Sequence, residues 1–270
     1  MKIGFFDSGI GGLTVLHEAY HLLPGEEYIF YGDTDHVPYG LKSNDEIKEY
    51  AGGIMDFLVN KGADAVVIAC NTASSVAAQM LRENYDLPII AMEPAVKPAL
   101  ETDERILVTA TPVTLREEKL KNLIKREGGE GRTDLLPLPG LVEFAEKEDF
   151  ESDELKDYLK RALSQYDTSV YSAVVLGCTH FNYFKDSFKE FFGPGMHLAD
   201  GAEGTVKRVA QLLKIETDKG RQKLVINDIS DLSEKLHTQY YLSGREAVDE
   251  ETLGHFMRLH NRLEEMRNVS

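Results

Sequence analysis

The chain has 270 residues, 42% of them hydrophobic, which is enough for a sizeable core in one large or two modest domains. Thirty Lys and Arg against 46 Asp and Glu give a formal net charge of −16, which argues against nucleic acid and anionic membranes as partners, since both require basic patches. Two cysteines do not make a disulfide scaffold. The sequence predicts no signal peptide and no membrane span, so we expect a reducing cytoplasm as the compartment.

The first 95 residues predict alternating strands and helices. Strands are predicted at residues 2–6, 27–31, 65–69 and 87–91, and helices at residues 13–23, 44–61 and 73–84. Short connections between such elements indicate a mostly parallel sheet with helices on both faces.

A glycine-rich turn, DSGIGG at residues 7–12, lies between the first predicted strand and the first helix. A strand, a glycine turn and a helix in this order point backbone N–H groups at an anion. The glycine spacing is neither the dinucleotide fingerprint nor a P-loop, which favours a carboxylate over a triphosphate.

A segment with two prolines, residues 93–98, is predicted to cross into a second domain. Beyond it, strands are predicted at residues 105–109, 134–138, 173–177 and 224–229, and helices at 111–126, 141–147, 153–166 and 202–213, with two acidic amphipathic helices closing the chain. The predicted fold is α/β, with two pseudo-symmetric domains, mostly parallel sheets and the active site in the interdomain cleft. The predicted domains are residues 1–95 plus 207–270 and residues 96–206.

The two cysteines occupy the same place in two similar segments, AVVIACNT at residues 65–72 and AVVLGCTH at residues 173–180. Each apolar, β-branched run predicts a buried parallel strand, so Cys70 and Cys178 are expected just past the carboxyl ends of two strands, where α/β sheets bind ligands. A single cysteine there is more often a packing residue. The repetition of strand, register and polar neighbours favours a joint chemical role.

Three chemistries use a pair of thiols. A disulfide switch is disfavoured because the Cys-x-x-Cys spacing is absent. A metal site of Cys70, Cys178 and His180 is disfavoured by its spacing, and the sequence predicts no other Cys or His pair that completes a tight cluster. Proton transfer on two faces of one carbon fits better, because a thiol titrates at about 8.5 and its surroundings can make it a base or an acid.

Polar side chains near the cysteines complete the candidate site. Three of them could hold a carboxylate without a net positive charge: Asn71, Thr72 and Thr179. Asp7, Glu143 and His180 could tune the thiols or hold an ammonium group. A helix cap is the alternative role for Asp7, and a solvated helix face for Glu143.

The sequence resembles the glutamate racemases of the aspartate/glutamate racemase superfamily. The resemblance rests on four motifs in matching order and spacing, FDSGIGGL at residues 6–13, PYG at 38–40, CNTAS at 70–74 and GCTH at 177–180. It implies a cofactor-independent interconversion of L- and D-glutamate, without a metal, that supplies D-glutamate for peptidoglycan in a bacterial cytoplasm. Glutamate is then the small-molecule partner, and a homodimer is compatible with the resemblance.

The resemblance also implies a role for each matching position. Cys70 matches the residue that takes the proton from D-glutamate, and Cys178 the one that takes it from L-glutamate. Asp7 matches an assistant of the first cysteine, His180 the assistant of the second, and Glu143 a third acidic residue at the site. Substrate contacts are implied at Asp7, Ser8, Pro38, Tyr39, Gly40, Asn71, Thr72, Thr114, Thr179 and His180.

Three positions depart from the family's usual pattern. Asn182 stands where proline is usual, Glu117 stands where serine is usual, and residues 136–139 lack a common Cys-Pro pair. The rival interpretations are a racemase for another amino acid such as aspartate, a non-catalytic binder of acidic amino acids, and a thiol-dependent hydrolase. A binder needs no thiol on both sides, and a hydrolase needs only one cysteine.

Overall fold

The computed structural model describes residues 1–101, 104–218 and 223–269. Within these residues the strands are β1 (Lys2–Asp7), β2 (Glu27–Gly32), β3 (Ala65–Ile68), β4 (Ile89–Ala91), β5 (Arg105–Ala110), β6 (Thr133–Pro137), β7 (Tyr171–Leu176), β8 (His197–Asp200), β9 (Thr238–Leu242) and β10 (Arg245–Glu246). The α-helices are α1 (Leu13–Leu22), α2 (Asn44–Asn60), α3 (Asn71–Val76), α4 (Ala78–Asn84), α5 (Val96–Ala99), α6 (Pro112–Arg116), α7 (Glu118–Arg126), α8 (Gly140–Glu146), α9 (Asp153–Leu163), α10 (Lys185–Phe192), α11 (Ala202–Leu213), α12 (Asp231–Glu234) and α13 (Glu250–Arg267). None of the described helices is long and apolar enough to cross a membrane.

The strands form two sheets, with the orders β10-β9-β2-β1-β3-β4 and β6-β5-β7-β8. The pairings are parallel except for the β9–β10 hairpin, so the predicted α/β class with mostly parallel sheets is confirmed. The strands before residue 92 and after residue 237 share the first sheet, while those between residues 105 and 200 form the second. The domain boundaries at residues 95/96 and 206/207 stay a prediction.

Both cysteine strands lie inside their sheets. β3 is hydrogen-bonded to β1 and β4, and β7 to β5 and β8. An interior parallel strand is covered by other elements on both faces, which explains why these two segments are continuously apolar. Each cysteine therefore lies just after the carboxyl end of an interior strand, as the repeated pattern predicts.

The strand predicted at residues 224–229 is wrong, since the structure has no strand there. The carboxylate of Asp228 accepts a hydrogen bond from the Ser230 N–H, and that of Asp231 accepts one from the Asn227 N–H. Side chains therefore bind local backbone N–H groups that would otherwise be available to pair with a neighbouring strand. The segment that returns to the first sheet is β9, which pairs in parallel with β2.

The prediction of two closing helices is also wrong in part. Only α13 is a long helix, and the preceding segment forms the short α12 and the β9–β10 hairpin. Ser243 and Gly244 between the strands both have positive φ, at 45° and 82°, as a two-residue hairpin turn requires. Two other predicted helices are each interrupted, at Ala77 and at the extended residue Glu117. The strand β8 was not predicted.

Candidate active site

A small cavity lies where the carboxyl ends of strands from both sheets meet. Its volume is about 10 Å³, roughly the space of one water molecule. The lining residues are Ser8, Pro38, Tyr39, Gly40, Cys70, Asn71, Thr72, Thr111, Val142, Cys178, Thr179 and His180. Both cysteines line this one cavity, and both are buried free thiols. Thr111 and Val142 are lining residues that no sequence motif indicated.

The first cysteine follows β3 and caps helix α3. The Sγ atom of Cys70 accepts a hydrogen bond from the Ala73 N–H at 3.4 Å and lies 3.8 Å from Ser8 Oγ. Ser8 Oγ in turn donates to Asp7 Oδ1 at 3.0 Å. Burial, together with the charge of Asp7, raises the pKa of the Cys70 thiol. Burial and this charge therefore disfavour the thiolate form of Cys70.

The second cysteine has a different electrostatic environment. His180 Nδ1 lies 3.8 Å from Cys178 Sγ, and His180 Nε2 lies 2.7 Å from Glu146 Oε1. Burial alone would lower the pKa of His180, but the interactions with Cys178 and Glu146 outweigh it and raise the pKa well above its usual value. His180 is therefore placed to hydrogen-bond to Cys178 on one side and to Glu146 on the other. The two thiols thus have unlike surroundings, because Ser8 and the buried carboxylate of Asp7 lie beside Cys70, whereas an imidazole lies beside Cys178.

The acidic residue at this site is Glu146 and not Glu143, so the sequence-based assignment of Glu143 is wrong. Glu143 is exposed on α8. The buried positions Val142 and Ala145 define the inner face of this helix, and Glu146 lies next to that face at spacings of four and one residues, whereas Glu143 points away from it.

The glycine turn after β1 brings the backbone close to the second cysteine motif. A Cβ atom on Gly11 would clash with the His180 ring and with Thr179 Oγ1, and a Cβ atom on Gly9 would clash with the Glu146 carboxylate. The Ile10 N–H donates to Glu146 Oε1 at 2.9 Å. The turn thus does face a carboxylate, but that carboxylate belongs to the protein.

Asp7 joins the two cysteine environments. It is completely buried, and burial raises its pKa. Besides the bond from Ser8, its Oδ2 atom accepts a hydrogen bond from Thr179 Oγ1 at 2.8 Å. Asp7 does not line the cavity and reaches it through Ser8 and Thr179.

Three threonine hydroxyls form a triangle beside the cavity. The Oγ1 atoms of Thr72, Thr111 and Thr114 lie 2.9 to 3.1 Å from one another. Thr72 and Thr111 line the cavity, whereas Thr114 is fully buried behind them. Thr114 therefore does not line the cavity, whereas Thr111, whose hydroxyl it contacts, does; a substrate contact of Thr114 stays a prediction.

Asn71, which lines the cavity, carries an acceptor atom that is not used by the described residues. Its Nδ2 atom contacts Met92 Sδ at 3.5 Å, while its Oδ1 atom is buried without a hydrogen-bond partner among the described residues. Asn182 also has a buried Oδ1 atom without such a partner, but it does not line the cavity. A buried acceptor that faces a ligand site is suited to receive a donor from the ligand.

Two mostly parallel sheets whose interior strands each deliver a buried thiol and polar neighbours to one cavity form an arrangement suited to proton transfer on two faces of one carbon. The chain belongs to the Asp/Glu/Hydantoin racemase family, whose model matches residues 14–209. This confirms the family resemblance drawn from the four motifs.

Several individual proteins related to this chain in sequence and structure are glutamate racemases. The chain is 46% identical to the glutamate racemase of Lachnospira eligens over 100% of both chains, and 46% identical to glutamate racemase 2 of Bacillus subtilis over 98% of this chain and 97% of that one. The crystal structure of the Campylobacter jejuni enzyme superimposes with a TM-score of 0.76 at 28% identity, covering 97% of this chain and 98% of that one. The Escherichia coli enzyme, in complex with L-glutamate and the activator UDP-MurNAc-ala, gives a TM-score of 0.75 at 30% identity over 92% and 99%.

Proposed function

We propose that this chain interconverts L- and D-glutamate by proton transfer between two cysteines, without a cofactor. The observation that carries the proposal is that Cys70 and Cys178 line the same cavity in unlike electrostatic surroundings. The glutamate racemases to which the chain is similar support glutamate as the substrate.

The two thiols exchange roles in each turnover. With L-glutamate bound, the Cys178 thiolate takes the α-proton, and the Cys70 thiol delivers its proton to the opposite face of the same carbon. The product is D-glutamate, with Cys178 now a thiol and Cys70 a thiolate. The reverse reaction uses Cys70 as the base and Cys178 as the acid. His180 holds Cys178 as the base, with Glu146 positioning the imidazole.

Neutral groups hold the substrate. None of the described residues that line the cavity is a lysine or an arginine, so the carboxylates of the substrate bind hydroxyl, amide and backbone N–H groups. Thr72 offers a hydroxyl, and Asn71 Oδ1, which has no partner among the described residues, is the acceptor for the α-ammonium group. The close approach of the glycine turn keeps these groups packed around the reacting carbon.

Glutamate requires the cavity to open. Small-molecule sites occupy about 300–1,000 Å³, whereas this cavity holds about 10 Å³. We propose that the two predicted domains separate to admit glutamate and close again to exclude water, which strengthens the electrostatic interactions around the carbanionic transition state.

The proposed role in the cell is the supply of D-glutamate for peptidoglycan in a bacterial cytoplasm. A reducing compartment suits the two free thiols, because oxidation of either would remove its acid–base function. A homodimer is the expected assembly, and light scattering coupled to gel filtration tests it.

The deciding experiment measures α-hydrogen exchange in heavy water with Cys70→Ser and Cys178→Ser variants. A hydroxyl is a far weaker acid than a thiol, so neither variant should racemise glutamate measurably, since each base typically contributes about 10²–10⁴-fold. Cys70→Ser should still exchange the α-hydrogen of L-glutamate faster than that of D-glutamate, and Cys178→Ser should show the opposite bias.

The same assay, run on the unmodified chain with a panel of amino-acid enantiomers, separates the rivals. Faster exchange of aspartate than of glutamate would identify an aspartate racemase. Binding of glutamate without exchange would identify a non-catalytic binder. Full racemisation after loss of either cysteine would remove that residue from the mechanism, and with it the two-base proposal.

A further inference from the structure

A second group of ligating side chains lies away from the cavity, between α1 and α13. His17 Nε2 and His21 Nε2 each lie 2.9 Å from the same atom, Glu264 Oε2. The three side chains are buried, with exposed fractions of 2%, 8% and 5%. The prediction that no further His pair completes a tight cluster is therefore wrong. The two histidines lie one turn apart on α1, and Glu264, which contacts both, is 243 residues beyond His21 in the sequence, so local spacing does not reveal the cluster.

A chain of hydrogen bonds behind this group has a defined direction. Thr238 Oγ1 donates to the carbonyl of Leu236 at 2.8 Å, so it accepts from the Tyr20 hydroxyl, also at 2.8 Å. Tyr20 then accepts from the Tyr240 hydroxyl at 2.9 Å, and Tyr240 accepts from His260 Nε2 at 3.1 Å. A hydroxyl has a single proton to donate, so each assignment follows from the one before it.

The chain of hydrogen bonds fixes the tautomer of His17. His260 is completely buried and has no carboxylate partner among its described contacts, so it is neutral, and its Nδ1 atom accepts from His17 Nδ1–H at 3.2 Å. The remaining ring nitrogen of a neutral His17, Nε2, then has a lone pair directed at a carboxylate oxygen 2.9 Å away. Two acceptors at this distance require a proton or a metal cation between them.

We propose that His17, His21 and Glu264 bind one divalent transition-metal ion of the Zn²⁺ class. Their ligand atoms all lie within 4.8 Å of one another, and two imidazole nitrogens with one carboxylate oxygen are a donor set that Zn²⁺ prefers. Bonds of about 2.0–2.1 Å in tetrahedral geometry place ligand atoms about 3.3–3.4 Å apart, so the present 2.9 Å contacts need to open by only about 0.4 Å.

The surroundings of the three side chains fit a metal site. His17 donates its other ring N–H to His260, which is the kind of outer-shell bond that orients a ligating imidazole. His21 also lines a crevice of about 1610 Å³, which gives an ion a path from solvent. The crevice is also lined by the cation Arg267, whose charge is paired with that of Glu18 at 3.3 Å, which reduces its repulsion of a metal ion. The ion would pin α1, which begins directly after the glycine turn, to the C-terminal helix.

The role expected of the ion is structural, because none of its ligands lines the active-site cavity. Occupancy stabilises the folded chain by mass action and raises the melting temperature with metal concentration. The proposed racemase chemistry does not depend on it, so failure of one proposal leaves the other standing.

The test uses the full chain in a Cys70→Ser/Cys178→Ser background, stripped with chelator, so that no thiol can bind the probe. Titration with Zn²⁺ alone should show one site per chain, and Co²⁺ alone should give tetrahedral d–d absorption without a thiolate charge-transfer band. His21→Gln and Glu264→Gln should each weaken Zn²⁺ binding by at least about tenfold. The matched control is His255→Gln, because His255, on α13, also contacts a carboxylate, that of Glu148, but belongs to no three-ligand group among the described residues.

Two further outcomes decide the proposal. Anomalous density between His17, His21 and Glu264 in crystals soaked with Zn²⁺ would support it even if a variant failed to fold. Absence of that density, or binding of Zn²⁺ that His21→Gln and Glu264→Gln leave unchanged, would overturn it. In that case a doubly protonated His17, visible by ¹⁵N NMR of the ring, supplies the positive charge.

Discussion

Glu146 accepts a hydrogen bond from His180 through the same oxygen, Oε1, that binds the backbone N–H of Ile10. The distances are 2.7 Å to His180 Nε2 and 2.9 Å to the Ile10 nitrogen. One carboxylate oxygen therefore ties the glycine turn of the first sheet to the imidazole beside Cys178. The orientation of the ring and its charge both depend on this acid, which makes Glu146 a positioning residue for the second thiol.

Replacement of Glu146 by Gln should impair racemisation of L- and D-glutamate alike, because the equilibrium between two enantiomers ties their kcat/KM values together. The amide keeps the size of the side chain but removes the negative charge that favours protonated His180. We expect kcat/KM for L-glutamate to fall by at least about tenfold, since general acid–base groups contribute about 10²–10⁴-fold and the thiolate would be less favoured. Coupled assays of both directions measure the effect.

Glu143→Gln is the matched control for that variant. It changes an acid of the same helix that is exposed to solvent, so both directions should keep wild-type rates. Equal losses in the two variants would show that the charge of α8 as a whole, and not the contact with His180, supports the reaction.

The raised pKa of His180 predicts an alkaline loss of activity toward L-glutamate. Burial would lower this pKa, but the contacts with Cys178 and Glu146 raise it above the usual value of about 6.5. Below about pH 6.5 the His180 ring is protonated in both the folded and the unfolded chain, so its ion pair with Glu146 is fully present in the folded chain. This ion pair is lost as the pH rises through the pKa that His180 has in the folded chain.

The measurement is the pH dependence of kcat/KM between about pH 6 and pH 10, with wild type and Glu146→Gln. The wild-type profile for L-glutamate should decline at high pH, well above the usual histidine range of about 6.5. The variant lacks one of the groups that raise the pKa, so its decline should begin at lower pH. An alkaline limb at the same pH in both proteins would contradict the assignment of that limb to His180.

Two buried asparagines with unpartnered Oδ1 atoms should respond differently to the same substitution. Asn71 lines the cavity, so Asn71→Leu should raise KM for glutamate and lower kcat, because the substrate ammonium group loses its acceptor. Asn182 does not line it, and its contact, the Thr179 carbonyl, also accepts from Thr14 Oγ1 at 3.1 Å. Asn182→Leu should keep both kinetic constants.

Stability measurements complete this comparison. Removal of the unsatisfied Asn182 oxygen offsets the lost hydrogen bond, so Asn182→Leu should unfold in urea within about 1 kcal/mol of wild type. A changed preference between glutamate and aspartate in Asn182→Leu would show instead that this departure from the family pattern controls specificity.

The positions of the two cysteines were predictable because interior parallel strands leave a strong signal. Burial on both faces selects continuous apolar runs, and the polar residues that follow mark the strand ends. The stretch 238–242 gave no such signal, because β9 is joined by hydrogen bonds to a short, exposed β10 and follows a polar turn. The apolar residues at 224–229 were misleading because side-chain carboxylates bind the local backbone there.

The residues that surround the two thiols were harder to predict than the positions of the thiols themselves. Glu143 and Glu146 are three residues apart, and only the packing of α8 decides which one reaches His180. Thr111 and Thr114 pose the same problem, since each is a buried threonine and the fold places only one at the cavity. Such choices depend on how separate elements dock, which local sequence patterns do not encode.

Gly11 is predicted to tolerate no side chain, because a Cβ atom there would clash with neighbouring groups, whereas a Cβ atom on Gly53 would not. A methyl group on Gly11 would press against the His180 ring and Thr179 Oγ1, and relief of the clash would move both away from Cys178 and Asp7. We expect Gly11→Ala to cost about 1–3 kcal/mol in the free energy of unfolding and to abolish most racemase activity. A Cβ atom on Gly53, in the interior of α2, meets no atom within 4 Å, so Gly53→Ala should stabilise the chain by about 0.5–1 kcal/mol without changing kcat/KM. Urea unfolding and racemisation assays on the two variants measure both effects. Wild-type activity and stability in Gly11→Ala would mean that the turn can move away from the second cysteine motif without loss, and that its close approach does not hold the catalytic groups in place.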